Sequence, residues 1–164
     1  MQLRTVFPVL GSSLRNRSRP LLALGALIAA PALMGASGGP GSEVRVVVTG
    51  LRSHEGVVRA CMTTDAQRFP RCRDDSGSYR LVVPADGTVV LDFEHVAPGR
   101  YAIALLHDEN DNGQADRAAG MIPREGYGFS RDAKVRMGPP RFDAAAFEVG
   151  QAPVRQTIRM RYML

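Results

Sequence analysis

Short stretches in which apolar and polar residues alternate, separated by glycine and proline turns, constrain the fold of this chain most. Residues 43–49 place Val44, Val46 and Val48 on one face, which is the two-residue period of a half-buried β-strand. Similar stretches follow at residues 57–63, 79–84, 87–96, 100–108, 146–150 and 154–164. The same part of the chain shows no sustained helical period. We therefore predict an all-β fold over residues 43–164, a seven-stranded antiparallel β-sandwich.

The fifth predicted strand carries the most specific local pattern. Pro98-Gly99 supplies a turn, the Tyr101 hydroxyl can cap the corner on a backbone group, and the residues that follow are apolar on both faces. Such a strand is expected in the centre of a sheet. The pattern resembles a strand of transthyretin-like and carboxypeptidase-regulatory-like sandwiches, so the expected architecture is transthyretin-like or Ig-like, a resemblance that implies architecture only.

Residues 1–36 predict an export signal. Four arginines and no acidic residue precede the 14-residue apolar run LLALGALIAAPALM, which is shorter than the roughly 20 residues of a membrane-spanning helix. Small residues follow, so we expect cleavage near Ala36 and a flexible lead-in over residues 37–42. The protein is then periplasmic or secreted, with no membrane span after cleavage.

Without this signal, the remaining chain has a net charge close to zero. The whole chain carries a formal net charge of +5, but four of its 21 basic residues and none of its 16 acidic residues lie in the signal. The remaining chain has the length of one domain and no charge excess that would indicate nucleic-acid binding. We expect a single-domain monomer.

Cys61 and Cys72 are the two cysteines of the chain. An even pair in an exported protein predicts a disulfide, with two free thiols as the alternative. The bond would pin the loop at residues 66–78 to the end of the second strand and contribute roughly 2–3 kcal/mol to stability. A redox-active pair is disfavoured because the spacing is not C-x-x-C.

A long insertion, residues 108–142 (the excursion), separates the fifth and sixth predicted strands. It is longer than the roughly 12–15 residues of an ordinary structureless loop, so it is functional or folded on itself. It opens with residues 108–116 (the acidic loop), whose sequence DENDNGQAD matches the start of a calcium-binding loop with oxygen-bearing residues at alternate positions and a glycine at the sixth.

The acidic loop is the candidate metal site. The candidate calcium ligands are Asp108, Asn110, Asn112, the Gln114 carbonyl, Asp116 and, from a fold-back of the chain, Glu125. Position 12, where an EF-hand has glutamate, is Ala119, so the loop is not an EF-hand. The four acids of the loop would repel one another with Arg117 as their neighbouring cation, a cost that a divalent ion would relieve. The alternative is a set of Asx turns without a metal.

Other side chains of the excursion allow two further interpretations. Tyr127, Phe129 and Phe142 lie between glycines or near prolines and are candidates for ligand binding, or they anchor the excursion by burying their own area. His107 adjoins Asp108, but neighbouring residues of a strand point to opposite faces and cannot form a dyad. The histidines also lack zinc-site spacing.

Several stretches together resemble the bacterial domain-of-unknown-function family 2141. They are GLRSHEGVVRACM, FPRC, PGRYAIALLHDENDNGQAD, GMIPREGYGFS and GPPRFDAAAF, and the resemblance covers residues 44–162. It implies an exported β-sandwich without an established activity, so no catalytic residue is carried over. It also implies one shared pattern at Asp108, Asn110, Gly113, Asp116, Glu125, Tyr127, Gly128 and Phe129.

Three functional hypotheses result. The leading one is a non-enzymatic exported β-sandwich that binds an unknown envelope or extracellular ligand through the excursion, whose shape calcium fixes. The second is a hydrolase that uses an acid of the 107–125 region with His107 as base, and the third is a purely structural envelope protein.

Overall fold

The computed structural model describes residues 41–72, 75–118, 122–136 and 138–164. The predicted export signal, its cleavage site and most of the predicted lead-in lie outside the described residues. Ser42, the last residue of that lead-in, already belongs to the first strand. No helix in the described segments has both the length and the apolar character needed to cross a membrane.

The described chain is nearly all-β, as the alternating patterns predicted. It contains ten strands: β1 (Ser42–Thr49), β2 (Val57–Thr63), β3 (Tyr79–Pro84), β4 (Val90–Val96), β5 (Gly99–Asp108), β6 (Arg117–Ala118), β7 (Ile122–Pro123), β8 (Gly126–Phe129), β9 (Phe147–Val149) and β10 (Val154–Arg159). A 3-10 turn (Ser130–Asp132) and a one-turn helix, α1 (Phe142–Ala145), complete the elements.

The predicted count of seven strands was wrong because the excursion contributes β6, β7 and β8. Two of these strands have two residues each, and β8 reads GYGF, so none carries the alternation that marks a strand in sequence. The seven predicted strands are all present, with ends shifted by a few residues.

The strands form two larger sheets and one small hairpin. The first sheet has the order β10-β1-β4, and the second has the order β3-β2-β5-β8, with β9 pairing to the start of β5. Strands β6 and β7 pair with each other. The prediction of a wholly antiparallel sandwich was wrong in one place, since β1 and β10 run parallel. Alternation reports which face of a strand is buried and carries no information about direction.

The main core lies between the two larger sheets. Val46 of β1, Leu91 of β4 and Ile158 of β10 are fully buried against Val58 and Ile103 of the second sheet. The Tyr101 hydroxyl donates to the Ala97 carbonyl oxygen at 3.0 Å, which confirms the predicted tyrosine corner.

The excursion has its own apolar cluster on the outer face of the second sheet. Phe129 and Phe142 pack with Phe69 and with Ala102 and Ala104 of β5. The insertion is therefore folded on itself, and β5 is buried on both faces, as its sequence predicted. The predicted disulfide between Cys61 and Cys72 is present, with Cα atoms 6.3 Å apart.

Candidate functional site

Asp108 is the organising residue of the acidic loop. It ends β5, and its side chain is fully buried. Its carboxylate accepts the backbone N–H groups of Asn112 at 3.0 Å and Gly113 at 2.8 Å, and the Nε–H of Arg59 at 2.6 Å. Although burial alone would raise the pKa of this carboxyl, Arg59 and the two N–H groups hold it below its usual range. Gly113 has φ of 75°, a value that glycine adopts without steric cost.

The two asparagines close the loop through Asx turns. The Asn110 side-chain oxygen accepts the Asn112 N–H at 3.2 Å, and the Asn112 side-chain oxygen accepts the Gln114 N–H at 2.8 Å. The amide groups of both asparagines donate to Oδ2 of Asp116, at 2.9 and 3.1 Å. These contacts draw five of the six predicted ligand residues into one compact turn.

Two arginines from outside the loop change its charge balance. The Arg59 guanidinium also donates to Asp111 at 2.5 Å, and Arg52 is bonded to the Glu109 carboxylate. Hydrogen bonding to Arg52 lowers the pKa of Glu109 to about 2, although partial burial opposes that shift. The premise that Arg117 is the cation nearest these acids was therefore wrong, because tertiary folding supplies Arg52 and Arg59.

Glu125 is the sixth predicted ligand, and the chain does fold back to bring it to the acidic loop. Pairing of β6 with β7 places the Arg124 N–H 3.0 Å from the Asp116 carbonyl oxygen. Glu125 follows with 4 % of its surface exposed, and its Oε2 accepts the Asp116 N–H at 3.1 Å. Its other oxygen, Oε1, is buried and has no hydrogen-bond partner among the residues that the structure describes.

The electrostatic environment of Glu125 is unfavourable for a bare carboxylate. Burial raises the pKa of the Glu125 carboxyl, and the nearby charges of Asp108 and Asp116 raise it further. Hydrogen bonds from the backbone N–H groups of Asp116 and Glu109 oppose that shift without cancelling it.

Within the described segments, no three His, Cys, Asp or Glu side chains converge closely enough to hold a metal ion by themselves.

His107 directly precedes the acidic loop, and its side chain leaves β5 on the other face. Its fully buried ring is on the face of β5 opposite to Asp108; Nδ1 is 2.7 Å from the Tyr162 hydroxyl, and Nε2 is 3.0 Å from the Glu55 carbonyl oxygen. A carbonyl oxygen only accepts, so Nε2 carries the proton and Nδ1 accepts from Tyr162. Both nitrogens are thus occupied, and the Asp108 carboxylate lies on the other face of β5.

The predicted ligand-binding aromatics pack mainly against one another and against Phe69. Phe69 makes edge-to-face contacts with Phe129 and Phe142, with ring centroids 5.9 and 6.0 Å apart. Phe129 and Phe142 are buried, whereas Tyr127 is half-buried and packs on Phe129. Of these three side chains, Tyr127 is the one that is partly exposed and could contact a ligand at the surface. A ligand-binding role for the three residues remains a prediction.

Comparison with known proteins gives a family and no activity. A family model described as "Uncharacterized protein conserved in bacteria (DUF2141)" matches residues 46–157. No curated protein matches the chain, and no solved structure matches it either.

Proposed function

Because the chain belongs to the DUF2141 family of uncharacterized bacterial proteins, as its motifs predicted, we propose a function from the geometry of its excursion. The protein is an exported, non-enzymatic β-sandwich that binds an anionic polysaccharide of the cell envelope. The excursion is the binding surface, and the rest of the sandwich supports it.

The excursion has the rigid base that a recognition surface requires. The fully buried Ser130 hydroxyl accepts the Ile103 N–H at 2.9 Å and donates to the Ala145 carbonyl oxygen at 2.6 Å. These bonds join β5, the 3-10 turn and α1. Phe142 and Phe69 add apolar contacts, and the disulfide holds the loop that carries Phe69. A preorganised surface loses little conformational entropy when a ligand binds.

The proposal rests on the positive charge of the exposed side chains of the excursion. The excursion exposes six basic residues, and none of them forms an ion pair with another described residue: Arg117, Arg124, Arg131, Lys134, Arg136 and Arg141. The six acids of the excursion offset this charge only in part. Three of them are paired with arginines outside the excursion, Asp132 is paired with Arg161 at 2.7 Å, and Glu125 is buried. Asp116 is the remaining acid, and it has no ion pair with another described residue. Unpaired arginines favour carboxylate, sulfate and phosphate ligands.

One observation argues against binding to a lipid surface, and a second argues against the hydrolase hypothesis. Ile122 is the one strongly exposed large apolar side chain among the described residues of the excursion, which gives little area to insert into lipid. His107, the base of the hydrolase hypothesis, has both ring nitrogens engaged inside the fold.

The proposal is tested by affinity chromatography on heparin, a sulfated polysaccharide, with neutral dextran as the control matrix. We expect retention on heparin that is lost as salt rises, because salt screens exposed charges. The variant Arg136→Ala/Arg141→Ala should elute at clearly lower salt. The matched control is Arg155→Ala/Arg159→Ala, which removes the same charge from exposed positions of β10. Equal losses in both variants, or no retention of the wild type, would overturn the proposal.

A further inference from the structure

The unpartnered oxygen of Glu125 leads to an inference that goes beyond the proposed function and does not depend on it. We propose that the Glu125 carboxylate, completed by oxygens of the acidic loop, binds a calcium ion. The buried, unpartnered Oε1 is an independent feature that points to a ligand.

A buried acceptor without a partner is costly, and a proton does not remedy it here. A buried polar group without a partner loses the hydrogen bonds that it makes to water in the unfolded chain, and the loss is larger when the group is charged. Protonation would remove the charge of Glu125 but would not supply a donor to the buried Oε1, which has no hydrogen-bond partner among the described residues. A cation satisfies the charge and the lone pairs together.

The distribution of arginines shows where positive charge is missing. Arg59 serves Asp108 and Asp111, and Arg52 serves Glu109. Asp116 and Glu125 have no ion pair with any residue that the structure describes, although their backbone and side chain are hydrogen-bonded to each other. Among Glu125 and the acids of the acidic loop, the two without a counter-ion are therefore the two that a backbone-to-carboxylate hydrogen bond joins.

The donor atoms suit calcium. Both amide bonds to Asp116 use its Oδ2, which leaves Oδ1 free of them, and the Asp116 backbone N–H is bonded to the Glu125 carboxylate. Amide oxygens keep a second lone pair after accepting one N–H, and water supplies further ligands. Calcium accepts six to eight such oxygens in irregular geometry, whereas magnesium requires a near-ideal octahedron. Since few carboxylates converge here, the affinity should be in the ~0.1–1 mM class of extracellular calcium modules.

The test is a calcium titration of the purified protein followed by the NMR shifts of its backbone amides. We expect saturable shifts centred on residues 108–116 and on Glu125, with smaller and unsaturated shifts for magnesium. Excess calcium should raise the melting temperature by about 5 °C.

Three variants decide whether the named oxygens are ligands. Glu125→Gln and Asp116→Asn should each weaken calcium binding at least tenfold. The matched control, Asp111→Asn, removes one charge from the same loop at a residue already paired with Arg59, and it should bind within about threefold of wild type. The absence of saturable shifts in the wild type would overturn the proposal, as would equal weakening in all three variants. Heparin retention is measured without calcium, so either result can fail while the other holds.

Discussion

Replacing Arg59 with methionine should destabilise the protein through Asp108. Methionine keeps the apolar stem but removes the guanidinium that donates to the buried carboxylate at 2.6 Å. Breaking a fully buried ion pair costs about 3–5 kcal/mol because one charge remains unpaired. Here the Arg59 side chain is 32 % exposed and Asp108 keeps two backbone N–H donors, so solvent screening reduces the expected loss to about 2 kcal/mol.

The assay is urea unfolding at neutral pH of the wild type, Arg59→Met, Asp108→Asn and the double variant. We expect a coupling energy between the two sites of about 1–2 kcal/mol. The pKa of Asp108 is lowered in the folded state, so its stabilisation is present above the unfolded-state pKa of about 3.9 and is lost as pH falls through the folded-state pKa. The gap between wild type and Arg59→Met should therefore close in acid. A loss below about 0.5 kcal/mol at neutral pH would refute the reasoning.

Three further predictions concern the supports of the excursion and the edge of the acidic loop. Replacing Cys61 and Cys72 together by serine should lower the unfolding free energy by roughly 2–3 kcal/mol in a denaturant titration; an unchanged value would show that the closed loop adds no stability. Phe142→Ala should cost about 3–4 kcal/mol and make the excursion the first site of limited proteolysis, and cleavage elsewhere first would contradict its anchoring role. The folded-state pKa of Glu109 is lowered to about 2. The stabilisation from its pair with Arg52 should therefore persist above pH ~4.5 and vanish as pH falls toward 2. In an acid titration of stability, a Glu109→Gln variant should lack that part of the transition.

The sequence predicted those parts of the fold that depend on local periodicity. Alternation in β5 correctly placed His107 and Asp108 on opposite faces, and the Pro98-Gly99 turn correctly predicted the Tyr101 corner. The acidic loop was also identified from its spacing, because the bonds from Asn112 and Gly113 to Asp108 span only four and five residues. Contacts of this short range are encoded by neighbouring residues.

The arginine partners could not be predicted from the same local patterns. Arg59 meets Asp108 across 49 positions of sequence, and Arg52 meets Glu109 across 57. Both contacts depend on the pairing of β2 with β5, which places Val57 opposite Asp108. Strand composition does not specify that register. The parallel pairing of β1 with β10 was missed for the same reason, since no residue pattern in either strand reports its neighbour.

Calcium binding by Glu125 is tested most directly by a crystal structure of the protein grown with excess calcium and measured for anomalous scattering. We expect a calcium peak about 2.3–2.6 Å from Glu125 Oε1, with Asp116 as a second carboxylate ligand. A structure in which Glu125 Oε1 bonds only to water, with no anomalous peak beside the acidic loop, would contradict calcium binding by Glu125.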